Sequence, residues 1–306
     1  MATSSPFARI ALKRVAIPKL AAARRGAVEE VRRPSPFVKW VGGKGRIIPQ
    51  LDPLLPPGVE KMRHVEPFVG GGALFFSRLP ERALLCDINP SLINTYTAIR
   101  DNVEGVIEGL EELAVGHGKE RYYATREKYN ALQKAGGNET KRAAMFIYLN
   151  KTCFNGLHRV NRRGEFNVPI GSYKNPRIVD HSGLHVASDV LKRAKIVESG
   201  FDGLLKSARP GDFVYFDPPY EPVSTTASFT SYTKNGFNQD DQTRLRDVYN
   251  ELDRRGCKLM LSNSDVPFIR ELYKKHNIDI VAAPRAINCN GRRRGKVSEV
   301  VVRNYS

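Results

Sequence analysis

The sequence is poor in features that would each point to a particular class of protein. Only four of its 306 residues are cysteine (positions 86, 153, 257 and 289), and none forms a Cys-x-x-Cys pair. This spacing argues against zinc ligands and disulfides and indicates reduced thiols. No apolar run approaches the ~20 residues that a membrane span needs, so we expect no membrane segment. The amino terminus also lacks the apolar core of a signal peptide, and we expect a cytoplasmic protein.

Acidic residues are scarce relative to basic ones, and the formal net charge is +17. The excess lies in three segments. Residues 1–34 carry eight Lys and Arg against two acids, residues 141–177 carry eight against one, and residues 285–306 carry six against one. The remainder is close to neutral. Charge confined in this way favours a polyanion lying across the three segments, and we expect a nucleic acid.

The first 35 residues form a basic arm rich in Arg, Lys and Ala, with Pro18 and Pro34 as helix breakers. Part of it, Lys19–Arg25, could form a short basic helix, and we expect the arm to be flexible. The same composition is typical of a transit-like leader. A nucleic-acid-binding arm and a leader without a binding role therefore both stay open.

From Phe37 onward the pattern predicts an α/β fold with a Rossmann-like sheet. His64–Glu66 leads into a glycine loop followed by a helix, and Arg82–Asp87 is a second apolar strand that ends on an acid. Strand, glycine loop, helix, strand and acid make half of a Rossmann unit. Further strands are predicted at 194–198, 213–217, 258–262 and 297–302, and helices at 91–100, 239–255 and 266–276.

The middle of the chain interrupts this pattern. Residues 101–148 predict charged helices, whereas residues 150–180 are rich in Asn, Gly and Arg and predict a loop-rich segment. The predicted organisation is an arm at 1–35, an α/β domain formed by 36–100 and 190–306, and a small inserted region at 101–189.

The tetrapeptide Asp217-Pro218-Pro219-Tyr220 follows a buried apolar run. Two prolines stiffen the loop and remove two backbone donors, which leaves its carbonyls free to accept hydrogen bonds. An acid, free carbonyls and an aromatic ring then lie at the carboxyl end of a strand, where open α/β sheets bind ligands. Such a loop can grip a planar group that bears an NH2, such as adenine.

The glycine loop is an incomplete dinucleotide fingerprint. Gly70-x-Gly72 supplies two glycines, but Phe75 stands where the third would be. Glu66 repels a diphosphate and attracts a cation, which suits S-adenosylmethionine better than a nicotinamide dinucleotide. Asp87, about twenty residues after the glycines, could bind both ribose hydroxyls. A structural turn followed by a capping acid is the alternative.

Taken together, the motifs resemble the Dam-type family of DNA adenine-N6 methyltransferases, in the motif order of the α group. The resemblance covers about residues 37 to 305. The matching motifs are Lys39-Trp40-x-Gly42-Gly43-Lys44, Glu66-Pro67-Phe68-x-Gly70, Asp87-Ile88-Asn89, Phe154-Asn155-Gly156-Leu157-x-Arg159, Gly164-Glu165-Phe166-Asn167-Val168-Pro169-x-Gly171-x-Tyr173, Asp217-Pro218-Pro219-Tyr220 and Leu261-Ser262-Asn263-Ser264-Asp265.

The resemblance implies three sets of site residues. The catalytic set is Asp217, Pro218, Pro219 and Tyr220. The cofactor set is Trp40, Lys44, Glu66, Pro67, Phe68, Gly70, Gly72, Asp87, Ile88, Phe216 and Asp217. The DNA-binding set is Lys39, Asn155, Leu157, Arg159, Asn167, Pro169 and Tyr173, which makes 101–189 the target-recognition region.

Within the DNA-binding set, Leu157, Arg159 and Pro169 match positions that read the outer bases of GATC in the family. An arginine fork pairs bidentately with guanine O6 and N7. Leu157 and Pro169 could contact a thymine methyl group. The alternative for this segment is a basic, solvated loop. His158, beside Arg159, is a position where we expect variation.

The expected function is methyl transfer from S-adenosylmethionine to adenine N6 in duplex DNA, within GATC and with the target base flipped out. We expect neither a metal nor an obligatory protein partner, in a bacterial or phage-encoded protein. Another adenine site, cytosine N4, RNA, and an inactive DNA-binding regulator are the alternatives. Glu66 and Phe75 weaken a fourth, a nicotinamide-dependent oxidoreductase.

Overall fold

The computed structural model describes residues 34–223, 237–284 and 296–306. Among these, seven strands form one sheet. The strands are β1 His64–Glu66, β2 Ala83–Asp87, β3 Ala194–Glu198, β4 Phe213–Phe216, β5 Lys258–Ser264, β6 Asn277–Pro284 and β7 Lys296–Arg303. The helices are α1 Ile48–Leu51, α2 Ala73–Arg78, α3 Pro90–Asp101, α4 Val103–Ala114, α5 Lys119–Ala135, α6 Glu139–Thr152, α7 His181–Leu191, α8 Leu204–Ser207, α9 Gln239–Arg254 and α10 Pro267–Leu272.

The strand order across the sheet is β3-β2-β1-β4-β5-β7-β6. Strands β1 to β5 run parallel, and β7 is antiparallel to both of its neighbours. The order reverses between β1 and β4, because the chain first builds outward to β3 and then returns to the other side of β1. Ligands bind at such a switch point, beyond the carboxyl ends of the strands. The predicted Rossmann-like α/β sheet is confirmed.

Burial explains why the central strands form. All four residues of β4 are buried, as expected for a parallel strand covered on both faces. One face packs against α9 through Leu245, Tyr249 and Leu252. These positions are three or four residues apart and form one apolar stripe of the helix. The sheet therefore holds its strand ends in a rigid frame around the switch point.

Helix α6 is the centre of a helical layer beside the sheet. Nine of its fourteen residues are buried, so it is enclosed on nearly all sides. Its aromatic and aliphatic side chains share one core with Tyr122 of α5 and with Phe166 and Val168 of the segment that follows. The predicted loop-rich character of that segment is confirmed, because residues 157–180 contain only bends, turns and isolated bridges.

Two predictions near the carboxyl end were wrong. The helix expected at 266–276 is limited to α10, because a turn closed by the His276 N–H on the Tyr273 carbonyl at 2.9 Å follows it. Strand β6, which had not been predicted, then pairs with β7 along its full length. The N-cap of α9 is Asn238, which forms a reciprocal capping box with Asp241.

Cys86, Cys153 and Cys257 are buried free thiols. No helix among the described residues is long and apolar enough to span a bilayer. Cys289, residues 1–33 of the basic arm and residues 285–295 lie outside the described part of the chain. The division of the chain into an α/β domain and a target-recognition region stays a prediction.

Candidate active site

A cavity of about 1050 Å³ opens at the switch point. Its walls come from the Trp40 loop, the glycine loop, the ends of β2 and β4, and the start of α9. Those lining residues that were predicted from the sequence are Trp40, Lys44, Glu66, Phe68, Gly70, Gly72, Asp87, Ile88, Asp217, Pro218, Pro219 and Tyr220. The structure thus brings together residues that are up to 180 positions apart in the chain.

Two predicted cofactor residues do not line this cavity. Phe216 is fully buried in the core between the sheet and α9. Successive side chains of a strand point to opposite faces, so Tyr215 and Asp217 reach the cavity and Phe216 does not. Pro67 is likewise outside the lining, although its neighbours Glu66 and Phe68 are part of it.

The glycine loop is shaped around Trp40. Gly70 has a φ of +48°, and a Cβ placed on it would lie 2.7 Å from the Trp40 ring. Only glycine permits both the left-handed backbone and this close approach. The carbonyl of Gly70 accepts a hydrogen bond from Tyr96 Oη at 3.0 Å. This hydrogen bond anchors the glycine loop to α3.

Asp87 at the end of β2 is tied to the glycine loop. Its Oδ2 accepts from the Gly70 N–H at 3.2 Å and its Oδ1 from the Asn89 N–H at 3.0 Å. Burial raises the pKa of Asp87 to about 6, and these backbone donors oppose the rise. The adjacent Ile88 is 54% exposed. An exposed apolar side chain beside a buried acid offers a flat apolar wall next to hydrogen-bond acceptors.

Glu66 lies at the floor of the cavity and already has a partner. Its Oε1 is 2.7 Å from His64 Nε2, two residues earlier on the same strand. Both side chains are buried. The carboxylate is therefore held in a fixed orientation by the strand that carries it.

Asp217, directly after β4, forms an ion pair with Lys44 at 2.7 Å. Burial raises the pKa of Asp217 to about 6, and the Lys44 ammonium opposes that rise. Lys44 is itself fixed by donating to the Gly42 carbonyl at 2.6 Å and lies 4.6 Å from the centre of the Tyr220 ring. Among the described residues, Asp217 Oδ2 receives no hydrogen bond, so one carboxylate oxygen is available for a ligand.

The two proline carbonyls have different surroundings. The carbonyl of Pro219 is not free as predicted, because it accepts from Gln242 Nε2 at 2.9 Å. No donor within the described residues contacts the carbonyl of Pro218. Gln242 is itself held by Asn263 Nδ2 at 3.1 Å, and Asn263 Oδ1 accepts from the Glu221 N–H at 3.1 Å. A buried amide pair thus anchors one side of the loop and leaves the other side open.

Sequence reasoning missed Gln242. The available signal was its position on the apolar stripe of α9, three residues before Leu245 and seven before Tyr249. A fully buried glutamine on such a stripe needs a polar partner inside the fold. The Pro219 carbonyl and Asn263 are those partners.

Tyr220 closes one side of the cavity. Its Oη donates to Glu299 Oε2 of β7 at 2.9 Å. Burial, followed by the charges of Asp217 and Glu299, raises the pKa of Tyr220 well above its ordinary value. The phenol therefore stays neutral, and its hydrogen bond to Glu299 holds the ring next to Lys44.

Residues 157–170, called here the recognition hairpin, fold back on themselves. A bridge joins Val160 to Phe166, and the Asn161 N–H donates to the Glu165 carbonyl at 2.9 Å. Arg159 is exposed and donates through Nε to Asn167 Oδ1 at 2.8 Å. Its Nη2 lies 3.3 Å from the Asn167 carbonyl, so Asn167 holds the predicted base-reading arginine at the surface.

The end of α6, which precedes the recognition hairpin, is joined to the loop that carries Trp40. Asn150 exchanges two hydrogen bonds with the backbone of Lys39, at 2.7 and 2.9 Å. Lys39 Nζ lies 4.1 Å from the centre of the Tyr173 ring. Lys39, Asn155 and Tyr173 therefore lie at one surface with the hairpin. Asn150 is a second residue that sequence reasoning missed.

His158 links the hairpin to the cavity. Its ring stacks on Trp40, with centroids 5.6 Å apart and planes 19° apart, and its Nδ1 lies 3.4 Å from Asn89 Nδ2. Burial lowers the pKa of His158 to about 4, so the ring is neutral at physiological pH. Variation was expected at this position. The contacts of His158 were not predicted, because no local sequence pattern indicates them.

Comparison with known proteins decides the family. Residues 40–287 match the family described as D12 class N6 adenine-specific DNA methyltransferase. The chain belongs to this family. A D12-class member is an enzyme that methylates adenine N6 in DNA, so the substrate is DNA.

Three curated relatives of this D12-class enzyme match over nearly their whole length. Type II methyltransferase M.MjaIII of Methanocaldococcus jannaschii is 45% identical over 286 residues, covering 88% of this chain and 99% of that protein. Type II methyltransferase M1.LlaDCHI of Lactococcus lactis subsp. cremoris is 45% identical, with 88% and 95% covered. The DNA adenine methylase of Escherichia coli K12 is 37% identical, with 87% and 93% covered.

Methylation of adenine N6 by a D12-class enzyme needs a methyl donor. Within residues 34–223, 237–284 and 296–306, no group of three or more His, Cys, Asp or Glu side chains is arranged to hold a metal ion.

Proposed function

We propose that the enzyme transfers a methyl group from S-adenosylmethionine to the N6 of a flipped-out adenine within GATC in duplex DNA. The observation that carries the proposal is the pairing of two acceptors in the cavity. Within the described part of the chain, Asp217 Oδ2 and the Pro218 carbonyl receive no hydrogen bond, and both residues line the cavity. An amino group has two hydrogens to donate, which matches this pair.

The residues of the cavity fit S-adenosylmethionine. Asp87 offers carboxylate oxygens to ribose hydroxyls, and the exposed Ile88 beside it offers an apolar face to an adenine ring. Glu66 supplies a negative charge for the ammonium group, and Lys44 a positive charge for the carboxylate. Ligand pockets usually span roughly 300–1,000 Å³. A cavity of about 1050 Å³ therefore has room for a cofactor together with a base.

When bound, S-adenosylmethionine supplies an electrophilic methyl group on a sulfonium. The chain's task is to make the adenine amino group attack it. The N6 lone pair is delocalised into the ring, so this nitrogen is a poor nucleophile. Asp217 and the Pro218 carbonyl each accept an N6 hydrogen, which orients the nitrogen and favours a tetrahedral geometry. Orientation of this kind can lower a barrier by several kcal/mol. The tilted ring of Tyr220 stacks on the base.

The proton needs no dedicated base. Once methylated, the amine is strongly acidic and loses its proton readily. Asp217 therefore acts as an ionised hydrogen-bond acceptor, and its ion pair with Lys44 at 2.7 Å favours that ionised state.

Base flipping follows from the depth of the acceptors. Asp217 has a side chain that is only 21% exposed, and an adenine paired within a duplex cannot reach it. Enzymes that act on a base extrude it at a cost of a few kcal/mol. Contacts from basic side chains to DNA phosphates offset that cost.

The choice of GATC rests on the recognition hairpin. Arg159 is exposed and is held by Asn167, so its fork can approach guanine in the major groove. Leu157 and Pro169 supply the apolar surface for thymine methyl groups, and Asn155, Lys39 and Tyr173 lie alongside. The family description and the DNA adenine methylase of Escherichia coli support adenine methylation and leave the sequence of the site to be tested.

The test is expression in a host that lacks adenine methylation, followed by sequencing of its DNA for N6-methyladenine. We expect modification of GATC on both strands. Modification at another sequence would refute the reading roles of Leu157, Arg159 and Pro169 while leaving the chemistry intact. Unmodified DNA from a protein that still binds S-adenosylmethionine would favour an RNA target or an inactive regulator.

A further inference from the structure

Helix α5 contacts the recognition hairpin along one face. Tyr122, Arg126, Asn130 and Lys134 are spaced four residues apart, and side chains with this spacing lie above one another on a helix. The polar end of each one reaches the second half of the hairpin, residues 165–168. A regular series of this kind, running the length of α5, indicates that the helix supports the hairpin along its course.

The contacts follow the chain in order. Tyr122 Oη donates to the Val168 carbonyl at 2.8 Å, and Arg126 Nη1 lies 3.4 Å from the same oxygen. Lys134 Nζ pairs with Glu165 Oε1 at 2.5 Å. As α5 advances from its first turns to its last, its partners move back along the hairpin. The helix therefore lies antiparallel to that strand.

Asn130 makes the most specific of these contacts. Its Nδ2 donates to the Phe166 carbonyl at 3.1 Å, and its Oδ1 accepts from the Phe166 N–H at 2.9 Å. Both backbone groups of one residue are thus satisfied by a single amide. This is the pairing that a neighbouring antiparallel strand would otherwise provide. Asn130 therefore fixes the backbone orientation at Phe166.

That orientation decides which side chains face outward. Alternate residues of a strand point to opposite faces: Phe166 and Val168 are buried against the helical layer, whereas Pro169 is exposed. Asn167 faces the other side, where it holds Arg159 through its side chain at 2.8 Å and through its carbonyl at 3.3 Å. A change of register would turn every one of these side chains to the wrong face.

The hairpin cannot hold this register alone. An isolated pair of strands is at best marginally stable in water, and this pair is short, with a single bridge between its halves. An external partner that binds the backbone at Phe166, the residue opposite Val160, compensates for the missing third strand.

We propose that Asn130 is a positioning residue for sequence specificity: it sets the register of the base-reading strand and so the placement of Arg159 and Pro169. The inference rests on the proposed base-reading role of the hairpin. Asn130 contacts neither the cavity nor the exposed face of the hairpin, so its effect is on discrimination between sites and not on methyl transfer itself.

The test compares Asn130→Ala with Glu127→Ala, an exposed position on the same helix. The preferred site of the wild-type enzyme is established first. The ratio of kcat/KM on that duplex to kcat/KM on duplexes with one outer base changed is then measured. A good bidentate base contact provides about a tenfold or greater preference, so we expect the ratio to fall about tenfold in Asn130→Ala. Glu127→Ala keeps the wild-type ratio.

Reduced stability alone does not produce this result, because it lowers both rates together and leaves their ratio unchanged. Asn130→Asp keeps the acceptor for the Phe166 N–H but sets a carboxylate oxygen against the Phe166 carbonyl, so its ratio should fall at least as far as that of Asn130→Ala. The affinity for S-adenosylmethionine stays unchanged in all three variants. An unchanged ratio in Asn130→Ala would overturn the inference.

A fourth variant, Arg159→Ala, distinguishes failure of this inference from failure of the proposed function on which it rests. If Arg159→Ala also keeps the wild-type ratio, the hairpin does not read the outer bases and both assignments fail. If Arg159→Ala no longer discriminates while Asn130→Ala still does, only the role of Asn130 fails.

Discussion

At Asp217, burial and an ion pair act on the carboxyl group in opposite directions. Burial favours the neutral acid, whereas Lys44 at 2.7 Å favours the carboxylate. In the carboxylate both oxygens can accept a hydrogen bond, whereas in the neutral acid one of them carries the proton. Only the carboxylate therefore offers an acceptor to the adenine amino group whichever oxygen faces that group. The residue thus combines a geometric role with an electrostatic one, and the two can be tested separately.

The geometric role predicts that Asp217→Ala abolishes methyl transfer. A barrier increase of several kcal/mol corresponds to a rate decrease of about a thousandfold or more. The measurement is single-turnover methyl transfer at saturating DNA and S-adenosylmethionine. Unchanged thermal unfolding serves as the control for the fold. A transfer rate within tenfold of wild type would remove Asp217 from its assigned role.

The electrostatic role predicts a pH dependence. Because the pKa of Asp217 is raised to about 6, the carboxylate becomes protonated as pH falls through that value. The rate of single-turnover transfer should therefore rise between about pH 5 and 7 and then level off. Asp87, with its pKa also raised to about 6, affects binding of the cofactor over the same range, so the cofactor is kept saturating throughout.

Lys44→Gln tests whether the ionisation of Asp217 controls this pH dependence. The Lys44 ammonium lowers the pKa of Asp217, so its removal should move the midpoint of the rate profile to higher pH. A midpoint that stays in place or moves to lower pH would show that another group controls the profile. The plateau rate of the variant reports separately on any positioning role of Lys44.

At the scale of elements, the glycine loop and the Trp40 loop form one unit. Gly70→Ala would place a methyl group 2.7 Å from the indole and would strain a backbone with φ of +48°. We expect at least a tenfold decrease in affinity for S-adenosylmethionine, because 1.4 kcal/mol corresponds to a factor of ten and a single strained backbone costs roughly 1–3 kcal/mol. Calorimetric titration measures it.

Gly71→Ala is the matched control for that variant. Its added Cβ would meet Trp40 Cβ at 3.4 Å and Pro36 Cβ at 3.8 Å, both ordinary contact distances. Affinity should stay within about twofold of wild type, well below the tenfold step that 1.4 kcal/mol produces. If the affinity for S-adenosylmethionine fell equally in the two variants, the contact with Trp40 would not explain the loss. The loop would then be intolerant of added side chains for another reason.

The sequence predicted those elements whose signals are local. Buried apolar runs predicted β4 and β5, and the strand, glycine loop and acid around Gly70 and Asp87 predicted the cofactor end of the sheet. Strand β6 was not predicted because its stability comes from pairing with β7. That strand lies further along the chain, so the pairing leaves no local signal in the sequence of β6. The length of α10 was overestimated for a related reason: its end is set by a turn that helical periodicity does not reveal.

At the scale of the whole molecule, the site residues that sequence reasoning missed share one property. Gln242, Asn150 and His158 act on partners that are distant in the chain: the Pro219 carbonyl, the Lys39 backbone and the Trp40 ring. A motif records which residues meet the ligand, because those residue types are fixed by the chemistry. It does not record which residues hold them in place, because that depends on the packing of several elements at once.

The net charge of +17 leads to a prediction for the whole chain. Each lysine or arginine that neutralises a DNA phosphate contributes about −0.9 to the slope of log K against log salt concentration. The basic arm carries eight such residues within its first 34 positions. If the arm lies on DNA, removal of residues 1–33 should make the slope shallower by about 0.9 for every phosphate that the arm had neutralised, with the same preference between sites.

Fluorescence anisotropy of a labelled duplex at several salt concentrations measures this slope for the full chain and the truncated chain. Arg162→Ala, an exposed position on the recognition hairpin, serves as a comparison: if this side chain neutralises one phosphate, its removal makes the slope shallower by about 0.9. An unchanged slope after truncation would assign the arm to a leader-like role. The phosphate contacts would then come from the other two basic segments, and the hairpin with its neighbours would carry the electrostatic part of binding as well as the reading of bases.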